Sequence, residues 1–451
     1  MKTLALSVVL VFMIVQIPVN AQKFSPKKLS VTIYNDNLGV VKDLREYELP
    51  KGQTKIEIQD VAQLIDPTTV HINFKGEVIE QNYQYDLVSL EKILSRYIDR
   101  EIELIGEKDD LISGKLLSAG GNSIVLQKKS GGLEMLTNLE KYRITVNSLP
   151  EGLITKPTLV CLANSDIAGK QDVELTYQTK GMNWHTEYVA VLDKDDKSID
   201  MNAWVSIENN SGTSYKDAFL KLIAGDINRV QDEMYLDAAP TMVEGMTKGR
   251  QFEEKAFFEY HIYTLERPTT VAQNETKAIS LFESKNIGIV KKYLYRSGGY
   301  SGSSGKVAVV IEFENSEKNN LGVPMPKGKV RMYKSDGQAL EFVGEDLIDH
   351  TAKNEKLKLK VGDAFDIVVE ENQTEYKQIT EKVSESTFEI KIRNQKDEDI
   401  TVDISRYLGL RWEIRDNNFD FEKVNAQNIL FKIPVKAGKE SILKYTVRYT
   451  Y

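Results

Sequence analysis

The chain has 451 residues, 41% of them hydrophobic, and a formal net charge of −8 at pH 7. That length predicts roughly two to four domains, and the mild acidity argues against nucleic acid or an anionic membrane surface as the main partner. The single cysteine, Cys161, excludes an intrachain disulfide, so stability must come from packed cores.

The first residues read as an export signal. Lys2 is a short positive region, Leu4–Val15 is almost continuously apolar, and Val19-Asn20-Ala21 has the small-residue ending that signal peptidase reads. Cleavage is expected between Ala21 and Gln22. The apolar run is short for a membrane span and Pro18 follows it. No later segment reaches transmembrane length, so the expected product is an exported protein, in the periplasm or at the cell surface.

Alternation of apolar and polar residues, the period of half-buried strands, dominates the rest. A pattern of two apolar residues in alternation followed two positions later by Asn occurs four times. It runs through Val31, Ile33 and Asn35, then Val205, Ile207 and Asn209, then Ile311, Phe313 and Asn315, and finally Ile390, Ile392 and Asn394. Each reads as a strand that leaves its sheet at an Asn, whose side chain bonds local backbone and tolerates left-handed torsions. Shared ancestry and convergent turn chemistry account for the echo equally well. On this reading "NNSGTS" at 209–214 is a turn leading to Ala218, Leu220 and Leu222. Asn209→Ala should then cost on the order of 1 kcal/mol, as for a lost local cap. Pro50-Lys51-Gly52, Pro326-Lys327-Gly328 and Lys436-Ala437-Gly438 punctuate further strands as turns. The chain closes on Leu443, Tyr445, Val447, Tyr449 and Tyr451 along one strand face.

One segment breaks the strand pattern. Asp86 is placed to cap a helix with Leu87, Leu90, Leu94 and Tyr97 on one face. Short runs separated by glycine follow, and the combination resembles a small Sm-like or SH3-like barrel. The fold class expected is mainly β: tandem antiparallel β-sandwich-like units with this small barrel inserted. The expected domains are a signal peptide over 1–21 and an N-terminal β segment over 22–83 packing with the first sandwich. The helix-plus-barrel module over 84–150 follows. A central β-sandwich over 151–295, with an irregular segment at 228–255, precedes a C-terminal β-sandwich over 306–451. The Gly/Ser-rich "RSGGYSGSSGK" between the last two reads as a flexible linker or a long hairpin tip.

Patterns that carry chemistry are sparse. His71, His185, His261 and His350 lack metal-ligand spacing. The acidic runs at Asp193–Asp200 and from Asp416 lack the glycine and distal glutamate of a calcium loop. The glycines before Lys306 miss the phosphate-loop spacing. Cys161 lies in an apolar run and reads as core. No catalytic residue, metal site or cofactor is indicated. Trp184, Trp204 and Trp412 remain as a candidate ligand surface that could stack on sugar rings, weighed against core packing.

Several stretches together, "YNDNLGVVKDLREYELPKG", "LTYQTKGMNWHTEYVAVL", "WVSIENNSGTSYKDAFLKLIAGDINRV" and "NLGVPMPKGKVRMYKSDG", resemble the domain-of-unknown-function family 4139. That group includes mucoidy inhibitor A-like proteins of bacteria. The resemblance runs from about residue 30 to the end. It implies an exported, β-rich protein of the cell envelope and supplies no catalytic residues. The expected function is non-enzymatic binding or scaffolding, with an envelope protein or a polysaccharide as partner. The alternative is a glycan hydrolase whose acids converge only in the fold.

Overall fold

The computed structural model describes residues 24–106, 110–225, 252–257, 260–298, 303–409 and 411–451. The expected signal peptide, its Ala21–Gln22 boundary, most of the irregular segment and the middle of the Gly/Ser stretch lie outside the described residues. Among the described residues the protein is mainly β, with several sheets and one short α-helix, Leu90–Arg96. Among the described residues, no helix is long and apolar enough to cross a membrane.

The chain divides into two compact units. The first takes residues up to Val31, Val40–Lys180 and Ser211–Ala218. The second takes Thr32–Gly39, Gly181–Asn210 and Phe219–Tyr451.

In the first unit, Thr158–Ser165 is the middle strand of three, between Gly52–Gln59 and Gly76–Gln84. Cys161 lies in this middle strand, fully buried. Gln84 stands in register with Thr158, so residues 85–157 form an excursion between two paired strands. Within that excursion five antiparallel strands take the order Arg143–Thr145, Glu101–Ile105, Leu111–Gly120, Ser123–Gln127 and Leu133–Leu136. The outer two do not pair with each other among the described residues, so this sheet is not a closed barrel. Its core joins Leu94 and Tyr97 of the helix to Ile102, Leu104, Leu116, Ile124, Leu126, Leu136 and Leu139. The helix is capped by Ser89, whose side chain accepts from Lys92 N, and not by Asp86. Asp86 instead pairs with Lys92 and Arg96. Leu87 lies outside the helix and Leu90 is exposed. The helix therefore begins three residues later than the sequence pattern suggested.

In the second unit, one sheet runs in the order Glu275–Gly288, Ser198–Asn209, Met182–Leu192, Gly328–Ser335 and Leu340–Ile348. The Met182–Leu192 and Gly328–Ser335 strands are parallel, as are Val290–Ser297 and Ile400–Tyr407 in another sheet. The expectation of antiparallel sheets throughout is corrected here: parallel neighbours need long crossovers, which hydrophobic alternation does not reveal. Gly328 serves the parallel pairing, because a Cβ there would lie 2.0 Å from Thr186 O. Toward the C-terminus a six-stranded and a five-stranded sheet contribute to one buried cluster. Tyr295, Val402, Ile404 and Phe431 come from the first, and Val369, Ile390, Leu443 and Val447 from the second.

The four-fold Asn echo has a physical basis beyond turn formation. Asn209, Asn315 and Asn394 are all fully buried. Asn209 Nδ2 donates to Val271 O at 3.2 Å and Ala272 O at 3.1 Å. Asn315 Nδ2 donates to Val323 O and Ala352 O, while its Oδ1 accepts from Gly322 N and Val323 N. Asn394 Nδ2 donates to Glu398 O, Val435 O and Lys436 O, and its Oδ1 accepts from Lys396 N. Each side chain bonds backbone groups of a returning segment, as buried polar groups require. Asn35 is the half-buried member, donating to Trp184 O at 2.8 Å.

Candidate functional site

Alternation decides the fate of two tryptophans. In Met182–Leu192 the inward set is Met182, Trp184, Thr186, Tyr188, Ala190 and Leu192. Trp184 is thus buried at 1% exposure, its Nε1 donates to Ile223 O, and its ring meets Tyr263 edge-on. No ring face is left for a ligand. In Ser198–Asn209 the inward residues are Ile199, Met201, Ala203, Val205 and Ile207, so Trp204 points out and is 43% exposed. Trp412 is half-buried: its Nε1 donates to Ala426 O, Phe421 packs edge-on, and Lys423 lies over the ring at 5.2 Å. The three do not form one surface, and only Trp204 presents a substantially open ring.

Trp204 borders a surface recess of 190 Å³ whose other lining residues are Arg267, Thr269, Lys277, Ala278, Ile279 and Ser280. Glu275–Gly288 is the edge strand of this sheet, and Ser280 stands in register with Trp204. Arg267 comes from the turn between Tyr260–Leu265 and Thr269–Val271. Neither Arg267 nor Lys277 is ion-paired among the described residues. On the other flank of Trp204, the registered residue is Glu187. That carboxylate is held by Arg331 and, at 3.2 Å, by His185 Nε2. Arg331 and Lys329 also reach Glu345, at 3.7 and 3.4 Å. The acid next to Trp204 is therefore compensated, while the two cations of the recess are not among the described residues. An open aromatic face beside uncompensated positive charge can take up a flat ring bearing an anion.

A second polar cluster lies inside the C-terminal core. Arg406 Nη1 contacts Glu371 Oε1 at 2.6 Å and Ser297 Oγ at 2.5 Å. Ser297 Oγ donates to Glu371 Oε1, and Tyr295 OH to Glu371 Oε2. The Arg406 guanidinium stacks 4.2 Å from the Phe388 ring centre. Both charged side chains are almost wholly buried, and burial pushes the neighbouring Tyr445 hydroxyl far above its ordinary range. With no open face, this pair holds the two sheets' strands in place rather than meeting a ligand.

The remaining sequence candidates resolve into structure. Asp193 Oδ1 accepts from Lys197 N and Ser198 N, closing a turn. Asp196 is gripped by Lys291 and Lys334. Asn418, next to the Asp416 run, bonds Ile442 O and Lys444 N. His350 Nδ1 accepts from Lys327 N. Burial pushes the Cys161 thiol up to about 11, away from nucleophilic thiolate chemistry. Among the described residues no three His, Cys, Asp or Glu side chains group to hold a metal.

Sequence reasoning missed Arg267 and Lys277. They are ten residues apart on a turn and an edge strand, and nothing local links them to Trp204. The outward register of Trp204, by contrast, was implicit in the inward Val205 and Ile207. No protein-family model matches the chain, and none of the curated proteins matches it significantly in sequence.

Proposed function

We propose that the protein is an exported component of the bacterial cell envelope, related to domain-of-unknown-function family 4139, that binds or scaffolds without turning over its partner. The partner is an envelope protein or a polysaccharide. The observation that carries the binding role is the Trp204 recess: an exposed aromatic on a sheet face, flanked by two cations that are not ion-paired among the described residues. Elsewhere on that face Glu187 is paired with Arg331 and Glu345 with Lys329, whereas Arg267 and Lys277 make no ion pair among the described residues.

The architectural reading that goes with this is a set of sandwich-like units with one Sm-like or SH3-like insertion. The shared core of the two C-terminal sheets supports the first part. The insertion is supported by a helix followed by five strands, the fifth lying beside the first. About six residues join the fourth to the fifth.

The test is affinity capture with the mature chain from its own envelope, with and without prior polysaccharide digestion. Specific recovery of a protein or a glycan is expected. Recovery of neither counts against the role, and cleavage of envelope glycan by the purified chain replaces it with the hydrolase alternative.

A further inference from the structure

The recess beside Trp204 also bears on the class of ligand, an inference that rests on the binding role proposed above. Its volume of 190 Å³ is below the roughly 300 Å³ at which pockets for drug-sized ligands begin. It therefore suits a single ring of a longer molecule lying across an open face. The indole offers a flat apolar platform for that ring. Ser280 is a half-buried lining residue whose hydroxyl can exchange hydrogen bonds with other hydroxyls in either direction, and the buried Thr269 completes that wall. Arg267 and Lys277 add positive charge that is uncompensated among the described residues. Glu187, the acid in register with Trp204, is occupied by Arg331 and His185 and does not cancel it.

We propose that this recess binds an acidic saccharide. The sugar ring lies on Trp204, its carboxylate faces Arg267 and Lys277, and its hydroxyls face Ser280. A neutral sugar would leave the two cations unanswered. A purely apolar partner would leave the Ser280 hydroxyl unanswered as well.

The experiment titrates the mature chain with a uronic-acid tetrasaccharide, the neutral tetrasaccharide of the same linkage, and a single-stranded oligonucleotide of matched charge. Calorimetry gives the affinity, and tryptophan emission reports contact with the exposed indole. The acidic sugar is expected to bind at least about tenfold more tightly than the neutral one, a gap of the size one charge-assisted contact gives. Added salt should narrow that gap. Trp204→Ala and the double variant Arg267→Gln/Lys277→Gln should each weaken binding at least about tenfold, with unchanged melting. Equal binding of neutral and acidic sugars, equal binding of the oligonucleotide, or variants that bind like the parent would overturn the assignment. If the acidic sugar fails to bind while envelope capture still retrieves a protein, the saccharide class falls and the binding role stands. If both fail, the binding role falls too.

Discussion

Replacing Asn209 with alanine tests the buried-asparagine reading most directly. Asn209 is fully buried and its Nδ2 feeds two carbonyls, Val271 O and Ala272 O. Losing both bonds costs about 1 kcal/mol each. Removing Cγ, Oδ1 and Nδ2 from a closed site adds about 1 kcal/mol for the cavity. The expected total of about 3 kcal/mol is some three times the value for an exposed local cap. For a unit of this size it should lower Tm by roughly 6 °C. All three tryptophans belong to the second unit, so tryptophan emission followed during thermal or urea unfolding isolates the transition in question. Asn209→Asp provides the sharper contrast. It keeps the shape but aims a carboxylate at two carbonyl oxygens, so it should be worse than alanine at neutral pH and recover partly on acidification as the carboxyl protonates. A Tm shift below about 1 °C for Asn209→Ala, on a slope of 2–4 °C per kcal/mol, would refute the reasoning.

Two further outcomes follow from the charged groups. Glu371→Leu or Arg406→Met alone should destabilise by about 3–5 kcal/mol, because each leaves the other charge buried and unpaired. The double variant should be more stable than either single one, measured by urea unfolding. Asp196 is partly buried, which alone would raise its pKa, but hydrogen bonds from Lys291 and Lys334 hold it below the ordinary carboxylate range. Its contribution is therefore present above the unfolded value near ~3.9 and is lost as pH falls through the lower folded value. Asp196→Asn should cost about 1 kcal/mol at pH 7, and the gap to the parent should close under strongly acidic conditions.

The inward faces of the strands were legible wherever a strand alternates. Val205 and Ile207, Ile311 and Phe313, Ile390 and Ile392, and Leu443, Tyr445 and Val447 are all buried. Period-2 patterning encodes a face directly. The recurrent asparagine was visible, but its burial was not, because its partners at 271–272, 352 and 435–436 arrive from other segments. The parallel pairs were hidden for the same reason: residues 182–192 and 328–335 share a ladder across a long stretch of chain. Ser89 outcompeted Asp86 as the helix cap because Asp86 found Lys92 and Arg96 instead. In the recess, the aromatic was readable from register and the two cations were not, since a turn and an edge strand bring them together only in three dimensions.

The register of Gln84 with Thr158 has a consequence for how the first unit assembles. Roughly seventy residues separate these paired positions, where a minimal hairpin would use two. Each doubling of a floppy loop adds ~0.6 kcal/mol of closure entropy, so five doublings amount to about 3 kcal/mol. A folded excursion with its own core brings its ends together in advance and spares the host strands that penalty. Loosening the helix-capped core around Leu94 and Tyr97 should therefore weaken a pairing it never touches. Replacing the whole excursion with a tight turn should leave the host strands able to zip on their own.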